Sequence, residues 1–498
     1  MDPRPRATYA PANDHNNARD ARAMYTELGL YIDGAWMKDG GRKLEPVLNP
    51  ANEKTLAELP HATKADLDHA LDAAIKGFAV WRALSAYERS RIMGKAADLV
   101  RGRRERIAQL MTQEQGKIIA ESRLEVDASA DVIEWMGEEG RRAYGRIIPG
   151  RAKGIRQMVL QEPVGVCAAF TPWNFPVLTP ARKIAGALGA GCALILKPSE
   201  ETPGSCIEMV RCFEEAGLPK GVLNLVFGVP AEISEHLIRK EAVRKISFTG
   251  SVPVGKHLAK LAAEGMKRAT MELGGHAPVV VFDDVDPEKT AEMNAAGKYR
   301  NAGQVCISPT RFYVQDKIYK RYLDRFTEYA KGIKLGDGLE DGSKMGPLAN
   351  ARRLDAMEAL VQDCKAAGGR VETGGKRRGN QGYFFEPTVV SEIPDDSRLM
   401  TTEPFGPVAP VVPFKTFEEV VARANGLPYG LAAYAFTGSA KTATAIGDAL
   451  EAGMVGVNSF AISTAETPFG GVKESGYGHE GSIEGLEAYL VKKFISQA

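Results

Sequence analysis

From about residue 155 onward, short apolar runs alternate with segments of helical length. The runs at 164–170, 192–197, 222–227 and 245–249 are predicted as strands, and the stretches at 178–190, 202–216 and 231–240 as helices. Strands that are joined through helices run parallel, and their sheet is covered by helices on both faces. The alternation therefore predicts a doubly wound α/β domain.

A second set of apolar runs indicates another α/β domain that begins near residue 275. Its strands are predicted at 277–282, 310–315 and 408–414, with helices between them. Upstream, residues 63–140 have the apolar spacing of amphipathic helices, and the capping pairs Thr63/Asp66 and Ser85/Glu88 stand at two helix starts. The predicted fold class is α/β, with two doubly wound domains.

The charge balance limits the classes of partner. The chain has 64 Lys and Arg against 63 Asp and Glu, so its formal net charge is +1. Without a large basic field, we expect binding neither to nucleic acid nor to an anionic membrane surface. The apolar stretches are also shorter than the roughly 20 residues that span a bilayer. The function is therefore expected to lie in a small-molecule site.

The six cysteines show no spacing typical of a zinc site. No metal is therefore expected, and reduced thiols favour a cytoplasmic location. Residues 1–23 are rich in Pro, Arg, Asn and Asp and contain no apolar segment. This composition predicts a flexible N-terminal arm rather than a signal peptide.

A glycine-rich turn follows the predicted strand at 245–249. Gly250, Ser251 and Gly255 form a GxxxxG turn that precedes a predicted helix. Glycines at such a place let backbone N–H groups approach a phosphate. His257 stands where an ATP-hydrolysing P-loop needs Ser or Thr, which disfavours that function. A tight turn without a ligand is the alternative interpretation.

Lys197, Ser199 and Glu200 stand at the carboxyl end of a predicted strand, which is the ligand edge of an open α/β sheet. Lys197 can donate to ribose or phosphate oxygens, and Glu200 can accept from ribose hydroxyls. A carboxylate there would repel a 2′-phosphate, so the pattern favours NAD over NADP. An ordinary solvated loop is the alternative.

Cys306 is the one candidate nucleophile. Its segment is polar and rich in small residues, whereas the other cysteines lie among apolar residues or on helix faces. Thiolate chemistry requires a lowered pKa, which backbone dipoles or a nearby cation can supply. Glu272 stands among apolar residues and glycines, where burial would raise its pKa toward that of a general base. A buried, hydrogen-bonded structural glutamate is the alternative for this residue.

Seven short motifs occur in one order along the chain. They are FTPWNFP at 170–176, KPSE at 197–200, FTGSVPVG at 248–255, MELGG at 271–275, QVC at 304–306, EPFGP at 403–407 and PFGG at 468–471. In order and separation they resemble the aldehyde dehydrogenase superfamily. The resemblance runs from about residue 28 to the C-terminus.

The resemblance implies an aldehyde oxidation that uses a nicotinamide cofactor. Cys306 would attack the carbonyl carbon, and Asn174 with the Cys306 backbone N–H would hold the oxyanion. Glu272 would activate a water that hydrolyses the thioester. The implied cofactor-binding residues are Thr171, Pro172, Trp173, Lys197, Ser199, Glu200, Gly250, Ser251, Gly255, Glu403 and Phe405. NAD is the expected cofactor, and NADP is less favoured.

Three positions bear on the aldehyde itself. Arg182, Arg300 and Ser463 match places that line the pocket in the family, and they resemble the carboxylate clamp of succinate-semialdehyde dehydrogenases. Two guanidinium groups can bind a carboxylate by bidentate, charge-assisted hydrogen bonds. Trp173 and Phe469 are expected to line the substrate tunnel. Succinate semialdehyde is the expected substrate, followed by glutarate or 2-oxoglutarate semialdehyde.

Other interpretations of these residues stay open. Arg182 can be an ordinary helix residue and Arg300 can pair with a structural acid, in which case the enzyme would have broad specificity for neutral aldehydes. A catalytically silent structural paralogue that keeps the fold is the alternative outside enzymes. Ser308 stands where some succinate-semialdehyde dehydrogenases carry a second cysteine, so no disulfide switch is expected.

The resemblance also implies a domain organisation. Residues 24–144 and 161–274 would form a Rossmann-like NAD-binding domain, and 275–472 the catalytic domain. Residues 145–160 and 473–498 would form a small β extension that joins subunits. The expected assembly is a homodimer or a homotetramer.

Overall fold

The computed structural model describes residues 25–498. The N-terminal arm predicted at 1–23 lies outside these residues. Within them, no helix is long and apolar enough to cross a bilayer, and no group of three or more His, Cys, Asp or Glu is placed to hold a metal ion.

The strands of the described residues are numbered in chain order. They are β1 (Leu30–Ile32), β2 (Ala35–Met37), β3 (Leu44–Leu48), β4 (Thr55–Pro60), β5 (Arg146–Pro149), β6 (Arg156–Pro163), β7 (Val166–Phe170), β8 (Ala193–Lys197), β9 (Leu223–Leu225), β10 (Val243–Gly250), β11 (Arg268–Leu273), β12 (Ala277–Val281), β13 (Pro309–Gln315), β14 (Arg370–Thr373), β15 (Thr388–Ser391), β16 (Val408–Phe414), β17 (Tyr429–Gly430), β18 (Ala432–Phe436), β19 (Met454–Val457), β20 (Val472–Lys473), β21 (Gly476–Tyr477) and β22 (Leu490–Gln497).

The α-helices are numbered in the same way. They are α1 (Lys64–Ala83), α2 (Ala86–Gly102), α3 (Arg104–Gln115), α4 (Ile119–Glu139), α5 (Leu178–Ala190), α6 (Pro203–Ala216), α7 (Pro230–Ile238), α8 (Val252–Glu264), α9 (Pro287–Tyr299), α10 (Asp316–Lys331), α11 (Ala351–Ala366), α12 (Arg398–Thr401), α13 (Phe417–Asn425), α14 (Ala440–Ala449) and α15 (Ser482–Glu487). Short 3₁₀ helices lie at Gly140–Arg142 and Arg300–Gly303.

The first sheet has the strand order β2-β1-β9-β8-β7-β10-β11-β21. Its five central strands, β9-β8-β7-β10-β11, pair in parallel. They are flanked by β1, which is antiparallel to β9, and by β21, which is antiparallel to β11. The predicted capping boxes are present, with Thr63 and Ser85 accepting from the backbone at the starts of α1 and α2. This sheet is the predicted doubly wound domain.

The second sheet has the order β14-β15-β16-β13-β12-β18-β19. All its pairs are parallel except the edge pair β14 and β15. The buried apolar side chains form two separate clusters: one contains those up to Leu273, and the other most of those from Ala277 to Phe469. Ala465, Leu486, Tyr489 and Leu490 return to the first cluster. The prediction of two α/β domains is therefore confirmed.

A third, three-stranded sheet has the order β22-β6-β5 and contains the C-terminal strand. Its strand β6 extends to Pro163, three residues past the expected boundary at 160. Of the segment 473–498, only β22 enters this sheet, because β21 pairs with β11 and β20 with β17. Ile147 and Phe494 are exposed on the sheet to 74% and 57%.

The N-terminal strands β1 to β4 were not predicted from the sequence. β1 and β2 form a hairpin on the first sheet, and β3 pairs with β4. The strands are short and most of β2, β3 and β4 is not fully buried, so they lack the continuous apolar signal of the parallel strands. The predicted strand at 222–227 is also shorter, with the ladder limited to Leu223–Leu225.

Candidate functional site

A cavity of about 280 Å³ is lined by residues of both sheets' domains. Cys306 lies in its wall, and the rings of Phe175, Phe460 and Phe469 form much of its apolar lining. Arg182 and Arg300 line the same cavity. A nucleophile candidate and three cations, Lys117, Arg182 and Arg300, therefore line one largely apolar cavity, which is the usual form of a small-molecule site.

The segment before Cys306 has an unusual backbone. Asn301 and Ala302 have φ of 48° and 51°, and Gly303 has φ of 73°. A Cβ on Gly303 would lie 2.2 Å from the carbonyl oxygen of Gly406, so only glycine fits there. Two consecutive non-glycine residues in the left-handed region are strained, and such strain persists only where surrounding contacts hold it.

Two buried side chains hold this turn. The Glu121 carboxylate accepts from the Asn301 backbone N–H, at 3.1 Å for each oxygen. Gln115 Nε2 donates to Asn301 Oδ1 at 2.9 Å. The turn therefore depends on α3 and α4, almost 200 residues earlier in the chain, and it delivers Cys306 to the cavity wall.

Cys306 is the one cysteine of the six that is not fully buried. Burial, together with the carboxyls of Glu403 and Glu272, raises the pKa of its thiol to about 12, against a lowering by Arg182 and the Ile307 backbone N–H. The lowered pKa that thiolate chemistry requires is therefore not found in this state. The thiol must give its proton to a base, and Glu272 is a carboxyl close enough to influence it.

Glu272 lies on β11 and is 2% exposed. Neither carboxyl oxygen has a hydrogen-bond partner among the described residues. Burial, and then the neighbouring Glu480, raise its pKa well above the usual value, as the sequence argument expected. A structural glutamate would be hydrogen-bonded, so the geometry favours a base that is kept free for a reactant.

Asn174 is buried at 3% exposure in the loop between β7 and α5. Its side-chain Nδ2 donates to the Gln304 carbonyl at 3.2 Å, which places the amide beside the Cys306 segment. An amide donor at this place can stabilise an oxyanion that forms next to the sulfur.

Arg182 has one half of its guanidinium engaged and one half free. Nη2 donates to Ser463 Oγ at 2.9 Å, while the buried Nη1 has no partner among the described residues. Its Cζ lies 4.5 Å from the centre of the Phe469 ring, and the Arg300 Cζ lies 5.7 Å from that of Phe175. Burial lowers the pKa of Arg182, which Glu480 partly offsets. Arg182 thus lines the cavity and keeps one buried cationic donor without a partner among the described residues.

Sequence reasoning missed a buried polar group behind Glu272. Glu480 is 4% exposed and lines the cavity, where it pairs with Lys183. Lys183 Nζ also donates to Thr249 Oγ1 at 2.7 Å, and Ser247 Oγ donates to Glu480 at 3.1 Å. Glu480 and Lys183 are 297 residues apart, so no local pattern could have joined them.

The predicted ribose pair is close in space. Lys197 Nζ pairs with the Glu200 carboxylate at the end of β8. Thr171 donates its backbone N–H to the Lys197 carbonyl at 3.1 Å, and its buried Oγ1 has no partner among the described residues. Glu200 also lines a second cavity of about 420 Å³ with Gly228 and Pro230. Ser199 is buried and accepts from the Glu201 N–H at 3.3 Å.

The glycine turn differs in part from its expected role. β10 ends at Gly250, and α8 begins after Ser251, whose hydroxyl makes no capping hydrogen bond. A Cβ on Gly255 would lie 2.3 Å from Leu273 Cδ2, so Gly255 is needed where α8 packs on β11. Gly250 and Ser251 leave the helix N-terminus open for a phosphate, whereas Gly255 has a packing role.

Glu403, Phe405 and Trp173, which the sequence predicts to bind the cofactor, lie near one another. Glu403 accepts from the Gly275 N–H at 3.2 Å, and burial raises its pKa to about 7. Trp173 follows Pro172 and packs edge-on against Phe405, with 5.5 Å between ring centres. Phe405 has φ of 44°. Of the two predicted tunnel aromatics, Phe469 lines the cavity with Cys306, and Trp173 does not.

Comparison with known proteins gives a family match across most of the chain. The model of the aldehyde dehydrogenase family matches residues 36–495. The chain is 46% identical to the putative 4-(hydroxymethyl)benzenesulfonate dehydrogenase of Comamonas testosteroni, over 95% of this chain and 98% of the relative. It is 40% identical to the NADP-dependent succinate-semialdehyde dehydrogenase of Escherichia coli, over 93% and 96%.

A solved structure is similar to the whole fold. The crystal structure of succinate-semialdehyde dehydrogenase from Burkholderia pseudomallei matches with a TM-score of 0.93 at 40% identity, and the match covers 96% of this chain and all of that one.

Proposed function

Because the chain belongs to the aldehyde dehydrogenase family, whose members are oxidoreductases that act on aldehydes, we propose that it oxidises a short aldehyde bearing a carboxylate. Succinate semialdehyde is the first candidate, followed by glutarate and 2-oxoglutarate semialdehyde. The observation that carries the proposal is Arg182, which lines the cavity that also holds Cys306 and has a buried Nη1 without a partner among the described residues.

An anionic tail would satisfy the arginine. Ser463 fixes Nη2, so the guanidinium plane is set before a ligand arrives and its remaining donor is aimed by that contact. Arg300 supplies a second cation to the same cavity. A carboxylate bound there would hold the aldehyde carbon at a set distance from the sulfur. Binding of the tail would thus orient the aldehyde for attack.

The first half of the reaction uses Cys306 and Asn174. The thiol proton passes to Glu272 as the sulfur attacks the carbonyl carbon, and the carbonyl oxygen becomes an oxyanion held by the Asn174 amide. NAD, when bound, supplies the acceptor for the hydride that leaves the substrate carbon. The enzyme then carries the substrate as a thioester on Cys306.

The second half uses Glu272 as a base. Glu272 first releases the thiol proton to solvent, and it then takes a proton from a water that attacks the thioester carbon. It returns that proton to the sulfur as the carboxylic acid leaves. The carboxyl oxygens of Glu272 have no protein partner that would compete with that water. One aldehyde, one water and one NAD thus give one acid, one reduced cofactor and one proton.

The residues present fit a dinucleotide. Glu200 and Lys197 stand beside the second cavity, the unpartnered Thr171 Oγ1 offers a polar contact, and the start of α8 is open for a phosphate. We propose NAD over NADP because the Glu200 carboxylate would repel a 2′-phosphate. The Escherichia coli relative is NADP-dependent, so a kcat/KM for NADP at or above that for NAD would refute this preference.

A second substrate class is favoured by one relative. The Comamonas testosteroni protein is named for a benzenesulfonate, and a sulfonate offers an arginine the same negative oxygens as a carboxylate. The three phenylalanine rings of the cavity also suit an aromatic substrate. An aromatic aldehyde bearing a sulfonate is therefore the second candidate.

The test is a substrate panel on the purified enzyme with both cofactors. It contains succinate, glutarate and 2-oxoglutarate semialdehydes, a sulfonated benzaldehyde, and butanal as the neutral control. Arg182→Gln is expected to lower kcat/KM for anionic aldehydes about a hundredfold and to leave butanal within about threefold. An unchanged preference for succinate semialdehyde over butanal would show that the arginine does not bind the tail.

A further inference from the structure

A buried ion pair in the wall of the cavity has no part in the steps above. Lys117 stands in the turn between α3 and α4, and Glu125 lies on α4. Both side chains are 1% exposed, and Lys117 Nζ lies 2.5 Å from Glu125 Oε2. Taking two charges out of water costs several kcal/mol per ion, which their attraction offsets only when further hydrogen bonds are made. Stability of the fold alone therefore does not explain why the pair is present.

The lysine reaches the backbone of the oxyanion loop. Lys117 Nζ donates to the Asn174 carbonyl oxygen at 2.7 Å and lies 4.2 Å from the centre of the Phe175 ring. The same carbonyl oxygen accepts from Asn301 Nδ2 at 3.1 Å. Two donors, one from before and one from after Asn174 in the chain, thus hold the backbone from which the Asn174 side chain projects.

The glutamate holds the helix that follows. Glu125 Oε1 accepts from the backbone N–H groups of Val177 and Leu178 at 2.9 and 3.1 Å, which are orphan donors at the start of α5. That helix carries Arg182 one turn later. The two oxygens of Glu125 therefore connect the ammonium of Lys117 to the start of the clamp helix.

We propose that the Lys117–Glu125 pair is a positioning unit for the reaction: Lys117 sets the Asn174 amide toward Cys306, and Glu125 sets the start of the helix that bears Arg182. The inference rests on the proposed role of Asn174 as oxyanion donor. Both residues line the cavity, but their polar atoms bind each other and the backbone at 174–178, so each acts through that loop.

The test removes the charges and keeps the cap. In Lys117→Met/Glu125→Gln, the glutamine oxygen can still accept at the start of α5, while the donor to the Asn174 carbonyl is lost. Uncharged replacement of a buried pair is often neutral for stability, so the variant is expected to fold. We expect kcat for succinate semialdehyde to fall about tenfold to a hundredfold, below the about 10²–10³ for losing an oxyanion donor outright.

The same double change, made in a protein that lacks the Asn174 amide, separates a positioning role from a general structural role. In Asn174→Ala, where no amide is left to orient, the same double change is expected to cost less than about twofold in kcat. NAD affinity, measured by quenching of tryptophan fluorescence, is expected to stay within about twofold in all four proteins. The control is Arg42→Met/Asp66→Asn, which removes a largely buried ion pair that lines neither cavity. It is expected to leave kcat within about twofold.

Three results would overturn the inference. They are an unchanged kcat in the double variant, an equal loss in the Asn174→Ala background, or a loss that the Arg42 and Asp66 control reproduces. If Asn174→Ala alone keeps full kcat, the oxyanion role in the proposed function fails as well. If Asn174→Ala is impaired and the double variant is not, only the positioning inference fails.

Discussion

Glu272 and Cys306 lie in an environment that disfavours the charged form of each. Burial and neighbouring carboxyls raise the pKa of both groups. The unpartnered Glu272 carboxyl therefore lowers the stability of the folded protein, and the proposed reaction requires it. Such costs are typical of catalytic groups, and replacing them commonly stabilises an enzyme as it inactivates it.

Glu272→Gln is expected to make the protein more stable at neutral pH. A glutamate titrates near ~4.3 in the unfolded chain, so its raised pKa in the folded state costs stability as the pH rises from that value toward the folded pKa. The variant should gain little at pH 5 and about 1–3 kcal/mol at pH 8. Urea unfolding at both pH values measures the difference.

The same variant has a kinetic signature. With aldehyde and NAD it is expected to give one burst of NADH at most and then stall, because the thioester lacks its base. Unchanged steady-state turnover would remove Glu272 from the reaction. A lower stability than wild type at pH 8 would show that the carboxyl is compensated in the folded state.

Ser463→Ala tests the support of Arg182. The change removes the 2.9 Å hydrogen bond to Nη2 and leaves the cation in the cavity. A hydrogen bond to a charged group contributes about 1.5–3 kcal/mol, and the loss is partly made up by the substrate itself. We expect KM for succinate semialdehyde to rise about three- to tenfold, with the constants for butanal unchanged. An equal effect on both aldehydes would contradict the assignment.

At the scale of elements, the βαβ units were predictable because each depends on local periodicity. The strands β7, β8 and β10 and the helices α5 and α6 fall where apolar runs and helical segments alternate in the sequence. Of the candidate site, only the residues that lie within a short sequence motif were predictable. Gln115, Lys117 and Glu480 act on partners 57 to 297 residues away, and such partners leave no local pattern.

The strained turn before Cys306 gives a prediction of its own. Gly303→Ala would place a Cβ 2.2 Å from the Gly406 carbonyl oxygen, so the turn must shift and Cys306 must move with it. The matched control is Gly368→Ala, since Gly368 has φ of 88° and nothing within 4 Å of the added Cβ. Both variants bear left-handed strain of about 1–2 kcal/mol, and only the first also has a clash with the backbone.

We expect Gly303→Ala to lose at least about 2 kcal/mol more than the control in urea unfolding, and to lose most of its activity. The control should keep kcat. Equal stability losses in the two variants would show that the backbone at Gly406 moves away from the added Cβ without lowering the free energy of unfolding.

At the scale of the whole molecule, the three-stranded sheet β22-β6-β5 is the open part of the fold. Ile147 on β5 and Phe494 on β22 are exposed to 74% and 57%, and the strand register places them on opposite faces of the sheet. A small sheet with a large apolar side chain exposed on each face is a candidate for burial against another subunit. We propose that this sheet joins subunits of a homodimer, or of a homotetramer built from dimers.

The prediction is that Ile147→Asp/Phe494→Asp yields a monomer of about half the assembled mass or less. Because the two positions lie on opposite faces of the sheet, an interface that covers either face would bury an unpaired charge from each subunit, which costs several kcal/mol per ion. Light scattering coupled to size exclusion measures the mass. Met266→Asp is the control, since Met266 is 91% exposed away from this sheet and should leave the assembly unchanged. A wild-type protein that already runs as a monomer would refute the interface, and a double variant that stays assembled would place it elsewhere.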